Sequence, residues 1–438
     1  MAPDDGLDDE SGLLSEGLGS FDGEAETLFR EWNQARILND DTDALSSMYE
    51  FAKRKLCLRD GGFPGASSRR ASLDPAKDEV IREIARGLEK KKSDYVASFI
   101  KEWIDMETCL SSSSASSPSV VSCLAQNEEA LDQIVSWDTD FLSLSEPELI
   151  HRSIKVYKLW GFCTELVAKQ KLDSFIRLIA RNYRSENPYH NFHHAHSVMA
   201  ITGNMLYKTC RGVFTQMEEF AILTAALCHD VGHRGLNSDY YIKTHHPLAI
   251  QYNDISVLEN MHCSLTFELL RSSEAVDFSK RWSDEEFIQF RRVLIQSIMA
   301  TDMKVHFDLT AGIQKMTCVD GESKKLVYQS IVHAADLANP LMPTKASFQW
   351  AFRVVEEMYE QGRLEEQDGF TVAPFMKYPP TETLEFAKLQ VSFVQFIVAP
   401  LWRSMAVVWP SLQDRIDQME TNLKFWESLR DKNERGSV

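Results

Sequence analysis

From about residue 128 onward, hydrophobic residues recur at three- and four-residue intervals along the chain. The strings LDSFIRLIARNYRS, EEFAILTAALCHD, EEFIQFRRVLIQSIMA, KKLVYQSIVHAAD and AFRVVEEMYEQ show this spacing, which places apolar side chains on one face of an α-helix. Turn residues separate them in ENP, ANPLMP and KYPPTE. The chain shows no alternating strand series and no repeat period. The pattern predicts an all-α fold, a compact bundle of many short helices.

The N-terminal region follows a different pattern and predicts two domains, with the boundary near residue 125. Residues 1–125 are expected to form an acidic, partly disordered extension, and residues 126–438 the main domain. The extension combines a Gly-, Asp- and Ser-rich start, two segments with helical spacing, and the serine-rich linker SSSSASSPS. These parts are residues 1–23, 24–57, 77–110 and 111–119.

Charge and composition narrow the function classes. The net charge is -18, and residues 1–50 hold fourteen acids against two bases, so binding to nucleic acid or to an anionic membrane is not expected. No apolar run approaches the roughly 20 residues that span a bilayer, and the start MAPDDGLDDE is too acidic for a secretory signal. Eight cysteines without a CxxC pair favour a reduced, cytoplasmic setting.

Histidine is concentrated in one part of the chain. Eleven of the twelve histidines lie between residues 190 and 333, whereas solvated surface histidines would be spread more evenly. The string NPYHNFHHAHSV places two of them four residues apart, which puts both on one face if the segment is helical. The resulting candidates are His190 and His194, then His229 with Asp230 and His233, and finally Asp336 at the end of another apolar helix.

Imidazole and carboxylate groups together suit zinc, magnesium or manganese. An adjacent His-Asp pair lets the carboxylate bridge two metals, which sit roughly 3.5–4 Å apart in phosphoryl-transfer sites. The alternative is that each histidine is a satisfied core or helix-cap residue. That alternative explains any one histidine, but four such residues at the ends of buried helices favour a metal site. These four are His194, His229, Asp230 and Asp336.

Several strings resemble a known family. The H…HD…D pattern is similar to that of the HD superfamily of metal-dependent phosphohydrolases. More specifically, residues 128–430 resemble the catalytic domain of class I 3′,5′-cyclic-nucleotide phosphodiesterases. The strings that carry the resemblance, in chain order, are YHN, HDVGHRG, YNDISVLEN, ATDM, HAADLANP and LQVSFVQFIVAPLW.

The resemblance implies hydrolysis of cyclic AMP, and also of cyclic GMP, by a hydroxide that bridges two divalent ions. It implies zinc and magnesium as the ions, with manganese as an alternative. The zinc ligands would be His194, His229, Asp230 and Asp336, and Asp230 would also bridge to the second ion.

The resemblance also assigns the proton transfer. His190 matches the general acid that protonates the O3′ leaving group, since an imidazole titrates near neutrality. Asp336 belongs to the same catalytic set, and His233 matches a group near the metal-bound waters. Glu218, one helix before the His-Asp pair, is a candidate to orient His190; the alternative is an exposed helix carboxylate.

Nucleotide recognition carries over in the same way. Gln390 matches the glutamine that hydrogen-bonds the purine edge, and Phe393 and Val354 match the apolar pair that holds the ring. Asn339 and Tyr189 belong to the same pocket. In cyclic-AMP-selective relatives an Asn and a Tyr fix the rotation of the glutamine amide, but the Tyr position is Ser347 here. We therefore expect both nucleotides to be accepted, with a modest preference for cyclic AMP.

Departures from the family strings affect no metal ligand and leave the acid in place. They are Ser197, Gly232, Ser238, Ser392 and the string QGR at 361–363. They put the rate and the pocket shape in doubt, but not the activity.

Two other readings stay open, and one further site is proposed. The rival functions are another HD-type phosphohydrolase or nucleotidase, and a non-catalytic cyclic-nucleotide-binding scaffold. RRASL at 69–73 resembles a substrate site of the cyclic-AMP-dependent protein kinase, which makes Ser72 a candidate phosphorylation site. The oligomeric state stays open, with a homodimer as one alternative.

Overall fold

The computed structural model describes residues 130–163, 167–316, 319, 321 and 323–436. Within these ranges it contains fourteen α-helices and no β-strand, which confirms the all-α prediction. The domain boundary near 125, the two N-terminal helical segments, the serine-rich linker and Ser72 lie outside the described residues.

The helices are short, as the spacing predicts, apart from two of 24 residues. In chain order they are α1 Glu146–Leu159, α2 Lys169–Arg181, α3 Phe192–Thr209, α4 Gln216–Cys228, α5 Ser238–Lys243, α6 Pro247–Gln251, α7 Val257–Arg271, α8 Asp284–Ile298, α9 His306–Lys315, α10 Lys324–Asp336, α11 Thr344–Gln367, α12 Thr383–Phe393, α13 Ala399–Val408 and α14 Gln413–Gly436. Single turns of 3₁₀-helix occur at Phe141–Ser143, Phe278–Arg281, Met299–Thr301, Met303–Val305, Asn339–Leu341, Pro374–Met376 and Pro410–Leu412. A π-helical turn, Val394–Val398, joins α12 to α13.

Helix α4 lies in the middle of the core. Eleven of its residues are buried, and it packs against α3 and α8. Phe220 contacts Phe162, Phe278 and Phe290 with ring centroids 5.2, 5.3 and 5.6 Å away. Truncating such a side chain costs about 3–5 kcal/mol of stability. Because α4 is buried along its length, His229 and Asp230, which follow its last turn, also lie in the protein interior.

The start of α3 corrects one expectation from the sequence. Asn191 is the N-cap, and its side chain accepts hydrogen bonds from the backbone of His193 and His194. The helix therefore begins at Phe192, after His190, so His190 and His194 do not share a helical face. The side chain of Asn191 accepts backbone N–H groups of the first helical turn, which no carbonyl of a preceding turn can reach. The helix therefore starts after Asn191 and leaves His190 outside it.

One stretch qualifies the expectation about membrane spans. Thr383–Val408 is 26 residues long and is apolar enough, by length and composition, to cross a bilayer. Core helices of soluble proteins meet the same criterion, and 44% of its most apolar window is buried. A single such helix is weak evidence for a span, but the expectation that no run approaches that length was too strong.

Candidate active site

Three helices bring the four predicted metal ligands together. Helix α3 supplies one from its first turn, α4 ends directly before two, and α10 ends on the fourth. One ligand atom from each residue lies within 4.8 Å of all the others. The four, called the ligand cluster below, are His194, His229, Asp230 and Asp336.

The ligand atoms of this cluster are imidazole nitrogens and carboxylate oxygens, which can donate lone pairs to a metal. His194 Nε2 lies 3.2 Å from His229 Nε2 and 3.0 Å from Asp336 Oδ1, and His229 Nε2 lies 3.0 Å from Asp230 Oδ2. His229 Nδ1 is 2.9 Å from the carbonyl of Ala226, so in the neutral ring the proton sits on Nδ1 and the Nε2 lone pair faces the carboxylates. Lone pairs converging at these distances need a cation, and two nitrogens with two carboxylate oxygens form a donor set that zinc accepts. The residues present therefore fit a divalent metal.

The electrostatics of the cluster lead to the same conclusion. His229 is fully buried. Burial lowers its pKa, but the carboxylates of Asp230 and Asp336 outweigh burial and hold the pKa well above the usual value. Burial conversely raises the pKa of Asp336, but the charge of His229 and hydrogen bonds from the histidines outweigh this and hold it low. The site thus favours positive charge at its centre, and a bound metal would take the place of the second ring proton, on His229 Nε2.

On its other side, Asp230 faces residues to which the sequence analysis assigned no role. His262 Nδ1 lies 2.7 Å from the Val231 carbonyl, and its Nε2 is 3.6 Å from Asp230 Oδ1. Burial and the neighbouring charge of Asp302 raise the pKa of Glu259 to about 7. Glu259 lies in YNDISVLEN and Asp302 in ATDM, whereas His262 follows Glu259 by three residues on α7, just outside the noted strings, so the available signal was an acid and a histidine one turn apart. An oxygen-rich side of this kind suits magnesium.

A second group holds His190. Its Nδ1 hydrogen-bonds Glu357 Oε1, and Glu357 Oε2 accepts the backbone N–H groups of Tyr189 and His190, both at 3.0 Å. Burial lowers the pKa of His190, but the charges of Glu357 and Asp230 outweigh it and raise the pKa to about 9. With Nδ1 engaged, Nε2 is the free ring nitrogen, and it lies 4.0 Å from Asp230 Oδ2. His190 therefore carries a proton that faces the ligand cluster.

The prediction that Glu218 orients His190 is wrong. Glu218 forms a capping box with Thr215 at the start of α4 and an ion pair with Lys324, 3.1 Å away. Helix capping and the lysine use up its carboxylate, while Glu357 from α11 occupies the position beside His190. Glu357 is 167 residues distant in sequence from His190, which is why helix spacing did not reveal it.

His233 lies next to His190 and outside the ligand cluster. Its ring stacks on that of His190, with centroids 3.9 Å apart and planes inclined by 25°. The backbone N–H of Gly235 donates to His233 Nδ1 at 2.9 Å. Burial and the charge of His190 lower the pKa of His233 to about 3, so it is a neutral ring packed against a cationic one.

Comparison with known proteins assigns the site to a family. Residues 189–419, more than half of the 438-residue chain, match the family model described as 3′5′-cyclic nucleotide phosphodiesterase. The chain belongs to this family. The matched range contains every residue of the ligand cluster as well as His190, His233 and Glu357.

Individual relatives agree with the assignment. The chain is 28% identical to the 3′,5′-cyclic-nucleotide phosphodiesterase regA of Dictyostelium discoideum over 79% of this chain and 44% of that protein. It is 32% identical to the probable 3′,5′-cyclic-AMP phosphodiesterase pde-4 of Caenorhabditis elegans over 70% of this chain and 48% of that protein. The chain thus spans about half the length of these curated relatives.

Solved structures of phosphodiesterase domains share the fold. The phosphodiesterase domain of the Salpingoeca rosetta rhodopsin phosphodiesterase superposes with a TM-score of 0.68 at 27% identity, covering 71% of this chain and 96% of that one. LmjPDEB1 in complex with IBMX superposes with a TM-score of 0.64, also at 27% identity, covering 73% of this chain and 100% of that one.

Of the residues matched to the phosphodiesterase nucleotide pocket, three lie on α11 and α12, one lies just before α3 and one just after α10. Tyr189 packs against His194 with ring centroids 4.4 Å apart, and its hydroxyl accepts a hydrogen bond of 2.7 Å from the amide of Asn339. Val354 is half-buried on α11, three residues before Glu357, and so shares its helical face. Gln390 is buried and Phe393 is half-buried on α12.

The amide of Gln390 is not fixed from within the described part of the chain. No residue described there hydrogen-bonds its side chain, although the residue is only 5% exposed. Ser347 is buried in the first turn of α11 and carries a side chain too short to act as a tyrosine would. Whether these residues bind a nucleotide stays a prediction.

Among the departures from the family strings, Gly232 has a visible structural reason. Its φ is +81°, and a Cβ there would lie 2.6 Å from Leu265 Cδ2. A side chain at this position would therefore clash with Leu265 and would also be strained by the positive φ. Ser197 is buried, Ser238 is half-buried and Ser392 is exposed, and none of them contributes to the ligand cluster.

Proposed function

We propose that the protein hydrolyses 3′,5′-cyclic nucleotides to 5′-monophosphates. The observation that carries this proposal is the placement of the His190–Glu357 pair beside the ligand cluster, with His190 Nε2 only 4.0 Å from Asp230 Oδ2. Hydrolysis of a phosphodiester needs both a place for the phosphate and an acid beside the leaving oxygen. The two groups supply these functions side by side.

Zinc and magnesium are the ions that this donor set suits. The two imidazole nitrogens and the carboxylates of Asp230 and Asp336 would hold zinc, while the outer oxygen of Asp230, on the side of Glu259 and Asp302, would hold magnesium, with manganese as an alternative. When bound, the pair of ions supplies an activated water and neutralises phosphate charge.

The chain's own residues then govern the proton. Glu357 holds His190 by Nδ1, so only Nε2 can donate. Water that has lost one proton to solvent adds its oxygen to phosphorus. As the P–O3′ bond breaks, His190 Nε2 passes its proton to O3′, which leaves as a hydroxyl group, and solvent then returns a proton to His190. Glu357 offsets the positive charge of His190 before the transfer, because its carboxylate stays hydrogen-bonded to the ring and to the backbone.

Both cyclic AMP and cyclic GMP are proposed as substrates. Adenine and guanine present opposite donor and acceptor patterns, and a glutamine amide serves either base by rotating half a turn. The free amide of Gln390 and the short side chain of Ser347 support this freedom. Asn339 and the cyclic-AMP name of the C. elegans relative support a modest preference for cyclic AMP.

The experiment is turnover of cyclic AMP and cyclic GMP by the full chain, side by side, with added magnesium or manganese and with 5′-AMP as the rival substrate. We expect 5′-monophosphates from both cyclic nucleotides. Activity on 5′-AMP alone would favour a nucleotidase, and cyclic-nucleotide binding without turnover would favour a scaffold; either result would contradict the proposal.

The ratio of kcat/KM values tests the selectivity. An unfixed amide forfeits a hydrogen bond worth about 1–3 kcal/mol of discrimination, and Ser347→Tyr should shift the ratio toward cyclic AMP. A preference above about a thousandfold, or roughly 4 kcal/mol, in the unmodified protein would contradict an unfixed Gln390. Phosphorylation of Ser72 also stays a proposal, testable by mass spectrometry after incubation with the kinase.

A further inference from the structure

Helix α11 carries a row of buried polar side chains at four-residue intervals. Glu357, Gln361 and Glu365 are 5%, 3% and 1% exposed, and this spacing puts them on one face of the helix. Buried polar groups are normally hydrogen-bonded, so each must have found a partner. Glu357 holds His190, and the partners of the other two lie on the segment that follows the His-Asp pair.

Gln361 is paired completely and in one orientation. Its Oε1 accepts the backbone N–H of Asn237 at 2.8 Å, and its Nε2 donates to Asn237 Oδ1 at 2.9 Å and to Glu365 Oε1 at 2.8 Å. A half-turn of the amide would set its oxygen against two acceptors. The contact is therefore specific for an amide, and a carboxylate of the same shape could not replace it.

Glu365 pairs with the last residue of helix α5, which follows Asn237 in the chain. Its Oε2 pairs with Lys243 Nζ at 3.0 Å, and Lys243 is the last residue of α5. Asn237 is the N-cap of α5 and accepts the backbone N–H of Tyr240 at 2.9 Å. The row on α11 thus holds the short helix α5 at both ends.

The segment between His233 and Asn237 lies directly against this row. Gly235 has a φ of +73°, and a Cβ there would meet Glu357 Cγ at 3.4 Å. The backbone N–H of Gly235 donates to His233 Nδ1, and the His233 ring stacks on the acid His190. Asn237 is only four residues from His233, so a displacement at Asn237 would also displace the His233 ring that stacks on His190.

We propose that Gln361 is a positioning residue for the general acid: by clamping Asn237, it holds the 233–237 segment so that His233 supports His190 from one side while Glu357 holds it from the other. The inference rests on the proposed function and deepens it. It predicts that a defect at Gln361 appears in proton donation rather than in nucleotide binding.

The test compares Gln361→Glu with the matched control Glu360→Gln in the full chain. Glu360 is exposed on the same helix and pairs only with Arg363 among the residues described, at 3.3 Å. For Gln361→Glu we expect kcat to fall about 10–100-fold, as for losses of groups that orient a catalytic side chain, with KM little changed. The loss should shrink for a substrate with a better leaving group at O3′, because that substrate needs less proton donation. The control should keep the original kcat.

A second substitution, at Glu365, should restore part of the activity that Gln361→Glu loses. In Gln361→Glu/Glu365→Gln, the amide and the carboxylate exchange places, so the row regains a donor between its two members. We expect part of the lost kcat to return. An equal kcat in all variants would overturn the proposal, as would a loss that is the same for both substrates and follows only a lower melting temperature.

A readout independent of activity separates this inference from the proposed function. Imidazole NMR signals of His190 and His233, assigned by single replacements of each histidine, should shift in Gln361→Glu and stay in place in Glu360→Gln. If the unmodified protein hydrolyses no cyclic nucleotide but the signals shift, the proposed function fails and the positioning stands. Unmoved signals in Gln361→Glu overturn the positioning itself.

Discussion

The ligand cluster and the His190–His233–Glu357 group lie side by side but are built on different electrostatics. In the ligand cluster, two imidazole nitrogens and two carboxylates converge within 4.8 Å, and with Nδ1 of His229 engaged by a carbonyl its Nε2 presents a lone pair. In the other group, the carboxylate of Glu357 meets the ring of His190 and two backbone N–H donors, so the carboxylate is satisfied and only Nε2 of His190 stays free.

The difference indicates what each group can do. The ligand cluster needs an added cation to balance its charge, which suits binding of a metal and of a phosphate. The second group is balanced by the chain alone, which suits a proton donor that must keep one orientation. Substitutions that remove one residue of either group therefore test whether the two groups have separate functions.

The largest effect is expected from Asp230→Ala. Loss of the carboxylate that faces both sides of the cluster should lower kcat by several orders of magnitude while the fold survives, because two-metal catalysis depends on both water activation and charge neutralisation. Bound divalent metal, measured by elemental analysis, should fall in parallel. The control Asp239→Ala removes an exposed carboxylate and should leave both unchanged. Full activity of folded Asp230→Ala after chelation would refute the metal site.

His190→Ala should lower kcat by roughly 10²–10⁴-fold, the usual contribution of a positioned acid, with a smaller change in KM. Metal content should stay the same, since His190 lies outside the ligand cluster. The loss should be smaller for a substrate with a better leaving group at O3′. An equal loss for both substrates would assign His190 a structural role.

Glu357→Gln and Glu218→Gln form a matched pair. The first should lower kcat by about 10–100-fold, because the amide no longer offsets the charge of His190 or holds its ring. The second breaks only the capping box and the Lys324 pair and should leave kcat close to that of the unmodified protein. Steady-state rates decide between them, and the reverse order would restore Glu218 as the orienting residue.

The last prediction concerns stability, at a histidine pair outside both groups. His306 Nδ1 and His333 Nε2 are 2.9 Å apart, and burial lowers the pKa of His333 to about 4. The unfolded chain binds this proton below a pH of about 6.5, so the contribution is complete above that pH. It is lost as pH falls from there toward 4, by up to about 1.4 kcal/mol per pH unit.

Denaturant unfolding of the protein and of His333→Gln, at matched metal concentrations, measures this slope. The variant should lose up to one proton's worth of pH dependence between these limits. Identical slopes would mean that His333 is already protonated in the folded state.

Most of the fold and of the ligand cluster could be predicted from local sequence patterns. KKLVYQSIVHAAD predicts a helix and forms α10 from Lys324 to Asp336, because its apolar period alone decides which face is buried. His229 and Asp230 follow a helix that is apolar on every side, so the burial of their polar groups could be predicted from their neighbours. Family strings then assigned roles to these residues that spacing alone left open.

Long-range contacts were beyond the reach of these patterns. Glu357 lies 167 residues from His190 on a helix that looks like an ordinary amphipathic one, and Gln361 lies 124 residues from Asn237. The sequence by itself determined the helices and the candidate metal-ligand residues, because these depend on residue type and local period, whereas the acid role of His190 comes from the family resemblance and stays a prediction. Only the tertiary structure decided which carboxylate holds His190 and which amide pairs with Asn237, because several acidic residues have suitable chemistry and only packing selects the one within hydrogen-bonding distance.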